Sequence, residues 1–196
     1  MDTPASATRE RILSAAAAAL SEQSYAATHL AGIARRARVR PPAVYYYFSS
    51  RETLIGAVMA EGIRRVHDHV VRALSALPDD ADVVLQADTA VRAHLEVELE
   101  LSDFARAVSR TAGQLPAHLR SEVDVGSEQF HNLWRELLNR AAQTGRLRSD
   151  LDLRVARMLV VGALNWATEW VDDKVDTDEV IRTAQAMVRR GLFVDA

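Results

Sequence analysis

The sequence contains no cysteine, and Lys174 is the one lysine among its 24 basic residues. Without cysteine, neither a disulfide framework nor a thiolate metal site can form. No run of about 18 apolar residues occurs, and the N-terminus has no signal-peptide pattern. We therefore expect a soluble, cytoplasmic protein that has no membrane partner.

Sequence signatures of enzymes are also missing. The chain has no glycine-rich phosphate loop, no G-x-S-x-G elbow and no H-E-x-x-H zinc motif. His67 and His69 are two residues apart, so on a helix they would point in different directions. We expect no catalysis, no metal site and no cofactor, and a helical enzyme is the least favoured hypothesis.

The chain does contain helical periodicity throughout. Beyond the N-terminal quarter, apolar residues recur at helical spacing, and prolines, glycines and aspartates mark the breaks. This pattern predicts helices at 51–77, 83–101, 103–112, 117–144, 153–170 and 177–193. No segment alternates with a period of two, so the sequence predicts an all-α fold.

The N-terminal quarter has the pattern of a helix-turn-helix. Its first two helices carry apolar residues three and four positions apart, namely Ile12, Ala16, Leu20, Leu30, Ile33, Ala34 and Ala37. Thr28 is suited to cap the second helix, because its hydroxyl can accept a hydrogen bond from an unpaired amide. Pro41 and Pro42 suit the first turn of a third helix, where a missing N–H costs nothing. Such a helix presents its N-terminal end, which contacts base edges in this docking mode.

An aromatic run from Tyr45 to Phe48 follows these prolines. Val44 and Phe48 are four residues apart, so we expect both to be buried. The three tyrosines spread around the helix, so at least one faces outward, where its hydroxyl can donate to a phosphate oxygen. The alternative is that the whole run is hydrophobic core.

Positive charge is concentrated at the same end of the chain. Residues 1–56 contain seven arginines and four acids, whereas the whole chain has a net charge of −3. Arg40 and Arg51 flank the aromatic helix and could each neutralise a phosphate, although they could also be ordinary solvated arginines. The modest total charge argues against a protein that coats DNA non-specifically.

Residues 8–58 resemble the N-terminal helix-turn-helix of the TetR family of bacterial one-component repressors. The residues that carry the resemblance are Ile33, Ala34, Val39, Tyr45, Tyr46, Phe48 and Arg51. The chain departs from the family pattern at Arg38, where a turn glycine is usual, and also at Arg40 and Tyr47. A glycine at position 38 would be expected if the turn requires a positive φ angle.

The resemblance implies that Pro41, Pro42 and Ala43 lie nearest the bases, where they can offer only apolar contacts. Hydrogen-bonded readout then depends on Arg40, Tyr45 or Tyr46. The candidate DNA-binding residues are Thr28, Arg40, Pro41, Pro42, Ala43, Tyr45, Tyr46, Tyr47 and Arg51. We expect residues 1–52 to form this DNA-binding domain and residues 53–196 to form a helical domain for effector binding and dimerisation.

The last two predicted helices indicate a dimer interface. The helix at 153–170 is apolar on more than one face, and such a helix must be buried all round. A two-fold dimer would also double the small DNA contact of one helix-turn-helix, and the resemblance implies the same arrangement. The alternative is an ordinary monomer core. The candidate interface residues are Val155, Leu159, Gly162, Ala163, Trp166, Trp170, Val180, Ala184, Met187 and Val188.

Two further apolar stripes could line a cavity for an apolar small molecule between helices, although such stripes usually form only core. The candidate ligand-binding residues are Leu101, Phe104, Val108, Thr111, Phe130, Trp134, Leu138 and Asn165, with His94 and His131 as further polar groups. Residues 145–170 are also similar to the C-terminal region of TetR-type regulators of fatty-acid and steroid breakdown, whose effectors include acyl-CoA thioesters. If so, Arg106 and Arg110 are candidates to meet CoA phosphates.

The functional hypothesis is a repressor that binds double-stranded DNA as a homodimer at a pseudo-palindromic operator. A hydrophobic small molecule, such as an acyl-CoA or another lipid-like metabolite, would release it from the DNA. Two alternatives remain at this point. One is a regulator of an efflux system that senses lipophilic drugs, and the other is a regulator without a small-molecule effector.

Overall fold

A computed structural model describes residues 4–101, 103–172 and 174–194, without the side chains at 4, 100, 101, 117, 118 and 120–126. These residues form helices and loops, with one isolated antiparallel bridge between Leu147 and Phe193. The all-α prediction is therefore confirmed. None of the described helices has the length and apolar character needed to span a bilayer.

Nine α-helices make up the described part of the chain. They are α1 (Pro4–Glu22), α2 (Leu30–Arg36), α3 (Pro41–Tyr47), α4 (Arg51–Ser75), α5 (Val83–Glu96), α6 (Asp103–Thr111), α7 (Ala117–Gln143), α8 (Leu153–Trp166) and α9 (Thr177–Leu192). The helices after α3 end one to five residues earlier than predicted, and the two largest differences have a structural cause. The segment Val97–Leu101 winds as a π-helix after α5, and Ala167–Glu169 forms a 3₁₀ turn after α8.

Side-chain caps fix where several helices begin. The carboxylates of Asp82, Asp152 and Asp176 accept hydrogen bonds from backbone amides in the first turns of α5, α8 and α9. Ser50 does the same for α4, since its Oγ accepts from the amide of Thr53 at 3.0 Å. Each cap satisfies an amide that has no partner within the helix.

The chain divides into two compact units, one made of residues 1–65 and 102–126, the other of residues 66–101 and 127–196. In the first unit, α2 packs against α1 and α3, and α6 packs along α1. The end of α6 and the 3₁₀ turn that follows it, Ala112–Gln114, also bind the last turn of α1 and the loop after it. Arg110 Nη1 donates to the carbonyl of Ser21 at 2.9 Å, and Gln114 Oε1 accepts from the amide of Tyr25 at 3.1 Å.

In the second unit, α5 packs against α8 and α9. Gln185 Nε2 donates to the carbonyl of Asp88 at 2.9 Å, and Arg189 pairs with the Asp88 carboxylate. The largest side chains that are fully buried in this unit include Trp134, Leu95, Leu137, Leu138, Ile181 and His94. This apolar interior therefore also contains a histidine.

Candidate DNA-binding surface and effector region

The turn between α2 and α3 uses a left-handed backbone conformation. Arg38 has φ 56°, the one positive φ angle of a non-glycine residue in the described chain. The amide of Arg38 donates to the carbonyl of Arg35 at 3.2 Å, and the amide of Val39 donates to the carbonyl of Ala34 at 3.0 Å. The positive φ that the sequence suggested at this position is thus observed, and arginine occupies a conformation that favours glycine.

Helix α3 begins where the two prolines predict. Arg40 is its N-cap residue but makes no side-chain capping bond, and Pro41 and Pro42 occupy the first two helical positions. The helix ends at Tyr47, and the amide of the C-cap residue Phe48 donates to the carbonyl of Val44 at 2.9 Å. Val44 and Phe48 are both buried, as predicted from their spacing. These two side chains attach α3 to the rest of the first unit.

The outer face of α3 is aromatic and apolar. Tyr46 is 81% exposed and Tyr45 is 57% exposed, so at least two of the three tyrosines face solvent. Tyr47 is half-buried and lies edge-on to Tyr46, with ring centroids 5.0 Å apart. Of the residues at the start of the helix, Pro41 and Pro42 are exposed and Ala43 is half-buried.

Several arginines between the end of α2 and the start of α3 are exposed. Arg35, Arg38 and Arg40 are exposed, and none of them forms an ion pair with a described carboxylate. Arg36, by contrast, donates to both carboxylate oxygens of Glu22 at 2.8 Å. The first three arginines can therefore meet an external anion without breaking a salt bridge.

Arg51 has a different environment from the one that the sequence suggested. Its Nε donates to the carbonyl of Thr28 at 2.8 Å, and its Nη2 donates to the carbonyl of Tyr25. The guanidinium also lies over the Tyr25 ring, 4.1 Å from the centroid. These contacts exclude the alternative of an ordinary solvated arginine, because they fix the loop between α1 and α2 to the start of α4. The phosphate contact of Arg51 stays a prediction.

The prediction that Thr28 caps α2 is wrong. The N-cap residue of α2 is His29, and no side chain caps this helix. Thr28 is buried, and its hydroxyl donates backwards to the carbonyl of Ser24 at 3.1 Å. Thr28 therefore stabilises the loop before α2, and its side chain does not lie on the exposed surface.

The predicted ligand-binding residues are divided between the two units. Phe104, Val108 and Thr111 lie on α6 in the first unit, whereas Phe130, Trp134, Leu138 and Asn165 lie in the second. The side chain of Leu101 lies outside the described residues. Phe104 packs under the guanidinium of Arg65, which is 3.9 Å from the ring centroid.

Gly62 on α4 marks a close helix crossing that sequence analysis missed. A Cβ atom at this position would clash with the carbonyl of Phe104 and with a methyl group of Val108. Helices α4 and α6 therefore approach each other closely where Gly62 lies. A glycine inside a strongly helical pattern was the available signal, since it usually has a packing or functional reason.

Arg106 and Arg110 have partners on the protein rather than a free approach to an effector. Arg106 Nη2 donates to Asp103 Oδ1 at 2.5 Å, and Arg110 binds the carbonyl of Ser21. The suggestion that these two arginines meet CoA phosphates is therefore not supported by their geometry.

A polar cluster lies in the interior of the second unit. His94 Nε2 is 2.8 Å from Asn165 Oδ1, which joins α5 to α8. The imidazole lies edge-on to Phe130 at 5.3 Å between centroids, and Trp134 is next to it at 6.4 Å. Thus three of the four predicted residues of this unit lie beside His94, and the fourth, Leu138, is buried one turn after Trp134 on α7.

The His94 cluster has unused hydrogen-bonding atoms. His94 Nδ1 and Trp134 Nε1 are buried and have no hydrogen-bond partner among the described residues. Burial lowers the pKa of His94 to about 4, so the ring is neutral at pH 7 although Glu98 Oε1 lies 3.9 Å from Nε2. Buried polar atoms are almost always paired, so these two atoms indicate a place for a bound polar group or a water molecule.

Helix α8 is buried on one face and exposed on the other. Ala156, Val161 and Leu164 are buried, whereas Leu159 is 69% exposed and Trp166 is 64% exposed. The exposed face carries apolar side chains on α8, namely Val155, Met158, Leu159 and Trp166. Trp170, which follows α8, and Met187 on α9 are exposed apolar residues as well. Gly162 and Ala163 lie on the same face, and no atom lies within 4 Å of a Cβ built at Gly162.

Not all of the predicted interface residues lie on this exposed face. Val180 and Val188 on α9 are each only 8% exposed, and Ala184 is half-buried. The expectation that Val180 and Val188 meet a second subunit is corrected, because these side chains already pack within their own chain.

The fold and its surfaces define a helical transcriptional regulator with an N-terminal helix-turn-helix. Two family models match the chain. Residues 12–58 match the model for bacterial regulatory proteins of the tetR family, and residues 81–192 match the tetracyclin repressor-like C-terminal domain. The chain belongs to the TetR family, and the resemblance found in the sequence is confirmed.

Known proteins of similar sequence and structure include regulators of fatty-acid metabolism. The fatty acid metabolism regulator protein of Bacillus subtilis is 22% identical over 169 residues, which cover 85% of this chain and 86% of that protein. FadR from Bacillus halodurans, a fatty acid degradation regulator, superimposes with a TM-score of 0.82 at 23% identity over 97% of both chains. AibR, crystallised with isovaleryl coenzyme A and operator DNA, superimposes with a TM-score of 0.79 at 22% identity, over 92% of this chain and 96% of its own.

Proposed function

We propose that this protein is a transcriptional repressor that binds its operator as a homodimer and is released by an acyl-CoA thioester. The observation that carries the proposal is the outer face of α3, where Tyr45, Tyr46 and Arg40 are exposed beside a tight turn. A protein with this function would act in the cytoplasm, where the bacterial chromosome lies. We propose that residues 1–52 read the DNA and that residues 53–196 provide the effector site and the dimer interface.

DNA recognition would combine apolar and charged contacts. Pro41, Pro42 and Ala43 carry no side-chain donor, so they would contact thymine methyl groups. Arg40 has a free guanidinium at the N-terminal end of α3 and is the best candidate for a bidentate contact with guanine. Tyr45, Tyr46 and Tyr47 would donate to phosphate oxygens or base edges.

The exposed face of α8 supports a homodimer. A contiguous apolar surface that includes two tryptophans is unusual for a monomer and typical of a subunit interface. In a two-fold dimer this face would meet its own symmetry mate, and the open space at Gly162 would allow the two α8 helices to cross closely. The dimer would place two α3 helices about one turn of DNA apart, roughly 34 to 36 Å.

The His94 cluster supports an effector that has both apolar and polar parts. Phe130 and Trp134 provide apolar surface, and the indole N–H of Trp134 is a free donor for a carbonyl oxygen. If Asn165 Oδ1 accepts from His94 Nε2, the neutral ring leaves Nδ1 as an acceptor. A thioester carbonyl next to an acyl chain fits this environment, and AibR provides a structural relative that was crystallised with an acyl-CoA.

Release from DNA would follow from a shift between two conformations. The loop between α1 and α2 is held by Arg51 at the start of α4 and by Gln114 in the turn after α6, and Arg110 on α6 binds the last turn of α1. A displacement of either helix would therefore move the helix-turn-helix. An effector that prefers the displaced conformation would separate the two α3 helices and weaken operator binding.

The test begins with genomic DNA of the source organism, which is fragmented, captured by the purified protein and sequenced. We expect enrichment of a pseudo-palindromic site near genes of acyl-chain metabolism. Thermal-shift screening with acyl-CoA thioesters, free fatty acids and lipophilic drugs then tests the effector. Stabilisation by drugs alone would replace the acyl-CoA proposal with drug sensing, and no enriched DNA site would remove the repressor function.

A further inference from the structure

Three arginines line one cleft in the second unit. The cleft has a volume of about 340 Å³ and lies between α7 and the start of α8. Its lining residues are Arg135, Leu138, Asn139, Leu153, Arg154 and Arg157. The described lining thus contains three cations and no carboxylate.

These arginines lack the ion pairs that most other arginines of this unit have. Each of five others pairs with an aspartate or a glutamate, namely Arg92, Arg146, Arg148, Arg182 and Arg189. Neither Arg135 nor Arg154 forms an ion pair with a described residue, and Arg157 Nη1 donates only to the carbonyl of His131 at 3.3 Å. The nearby carboxylate of Asp152 is used as a cap, because it accepts from the amide of Val155 at 2.9 Å.

The arginines also repel one another. Burial, and then the positive charges of Arg135 and Arg154, lower the pKa of Arg157 below its usual value. Arg157 Nε is buried and has no hydrogen-bond partner among the described residues. An anion in the cleft would reduce the repulsion and provide acceptors for these N–H groups. Guanidinium groups bind phosphate oxygens through short, charge-assisted hydrogen bonds.

We propose that Arg135, Arg154 and Arg157 form the binding site for the phosphate groups of the effector. This inference depends on the proposed function, since it assigns the anionic part of an acyl-CoA to a specific cleft. Asn165 of the His94 cluster and Arg157 are eight residues apart on α8, which corresponds to about 12 Å along the helix axis. The carbonyl site and the phosphate site are therefore separate but lie on the same helix, as a long ligand with phosphates at one end requires.

Adenosine 3′,5′-bisphosphate tests the cleft without the acyl chain. Its binding to the full-length protein would be measured by calorimetry, for the unmodified chain and for the double variant Arg135→Gln, Arg154→Gln. Arg140→Gln provides the control, because Arg140 is an exposed arginine on the same helix that does not line the cleft. We expect the double variant to bind at least about tenfold more weakly and the control to be unchanged.

Thermal melts show whether the variants are folded. Because the substitutions remove mutual repulsion, we expect the double variant to melt no lower than the unmodified protein in phosphate-free buffer. The bisphosphate should raise the Tm of the unmodified protein only. If inorganic phosphate binds as tightly as the bisphosphate, and again only when the arginines are present, the cleft is still a phosphate site and the source of the phosphate is the free ion.

Equal bisphosphate binding by all three proteins would overturn the inference, as would equal weakening by Arg140→Gln. It would also be overturned if the double variant weakened operator DNA binding instead.

A second ligand separates this inference from the proposed function. Lauroyl N-acetylcysteamine has the thioester but no phosphate, so we expect the double variant to bind it normally. If lauroyl N-acetylcysteamine does not bind the unmodified protein while the bisphosphate does, the acyl-CoA function fails and the phosphate site remains.

Discussion

Arg38 is a non-glycine residue in a strained backbone conformation. Its φ of 56° lies in the left-handed region, where a side chain with a Cβ atom costs about 1 to 2 kcal/mol. The guanidinium is exposed beside α3. The backbone strain at Arg38 therefore accompanies an exposed positive charge beside the proposed DNA-binding helix.

We predict that Arg38→Gly leaves the free energy of unfolding unchanged or raises it by about 1 kcal/mol, while weakening operator binding. Arg38→Ala is the matched control, because it removes the charge but keeps the backbone strain. It should weaken DNA binding to the same extent without the gain in stability. Chemical denaturation and fluorescence anisotropy measure the two effects, and a clear loss of stability in the glycine variant would contradict the prediction.

Arg51 and Arg40 make a contrasting pair. Arg51→Ala removes donors from the carbonyls of Thr28 and Tyr25, so we expect a loss of stability of about 1 to 3 kcal/mol. Arg40→Ala removes no capping bond and should leave the Tm unchanged. It should instead cost about 1 to 3 kcal/mol of operator binding and relax the preference at one base pair in each half-site.

Thermal melts and binding-site selection distinguish these two roles. If Arg51→Ala melts like the unmodified protein, its contacts with the loop contribute little. If the motif selected by the Arg40→Ala protein is unchanged and only the affinity falls, Arg40 contacts phosphate and the sequence is read through DNA shape.

Most helices could be predicted from the sequence, because apolar periodicity, prolines and capping residues are local signals. Pro41 and Pro42 mark the start of α3, and the structure confirms it. Local signals did not predict the hydrogen-bond partner of a side chain that had two partners available. The hydroxyl of Thr28 could cap α2 or bind the preceding carbonyl, and the loop geometry that selects the second option depends on distant contacts. The π-helix at Val97–Leu101 likewise follows a sequence pattern that also fits an α-helix.

The candidate sites were less predictable than the helices. His94, Asn165, Phe130 and Trp134 were identified by type and spacing, but their mutual contacts depend on three helices that are far apart in sequence. The arginine cleft was missed for the same reason. Arg135 on α7 and Arg154 and Arg157 on α8 resemble ordinary surface arginines until the helices bring them together.

The crossing of α4 and α6 depends on Gly62. We predict that Gly62→Ala destabilises the fold by about 1 to 3 kcal/mol, because the added methyl group meets a backbone carbonyl that cannot move alone. Gly32→Ala is the control, since the space around Gly32 on α2 is open. That change should be neutral or stabilise by up to about 1 kcal/mol. Urea denaturation compares the two variants, and equal stability would show that the crossing tolerates a methyl group.

At the scale of the whole molecule, the exposed face of α8 and α9 is apolar surface that the single chain leaves uncovered. We predict that Leu159→Glu converts the dimer to a monomer that remains folded, because Leu159 is 69% exposed in the isolated chain. Leu85→Glu is the control, since Leu85 is an exposed leucine on α5, outside this face. Sedimentation velocity over a range of concentrations should show the shift for Leu159→Glu only. A monomeric unmodified protein, or a dimeric Leu159→Glu variant, would contradict the proposed interface.

In the proposed function, an acyl-CoA thioester controls the DNA affinity of this protein. The most direct measurement is the fluorescence anisotropy of a labelled operator duplex, taken from the genomic selection, bound to the protein and titrated with long-chain acyl-CoA. We predict a saturable decrease in anisotropy to that of free DNA, with no decrease for an equal concentration of unacylated CoA. If the complex stays intact at saturating acyl-CoA, the account of an acyl-CoA-released repressor is wrong.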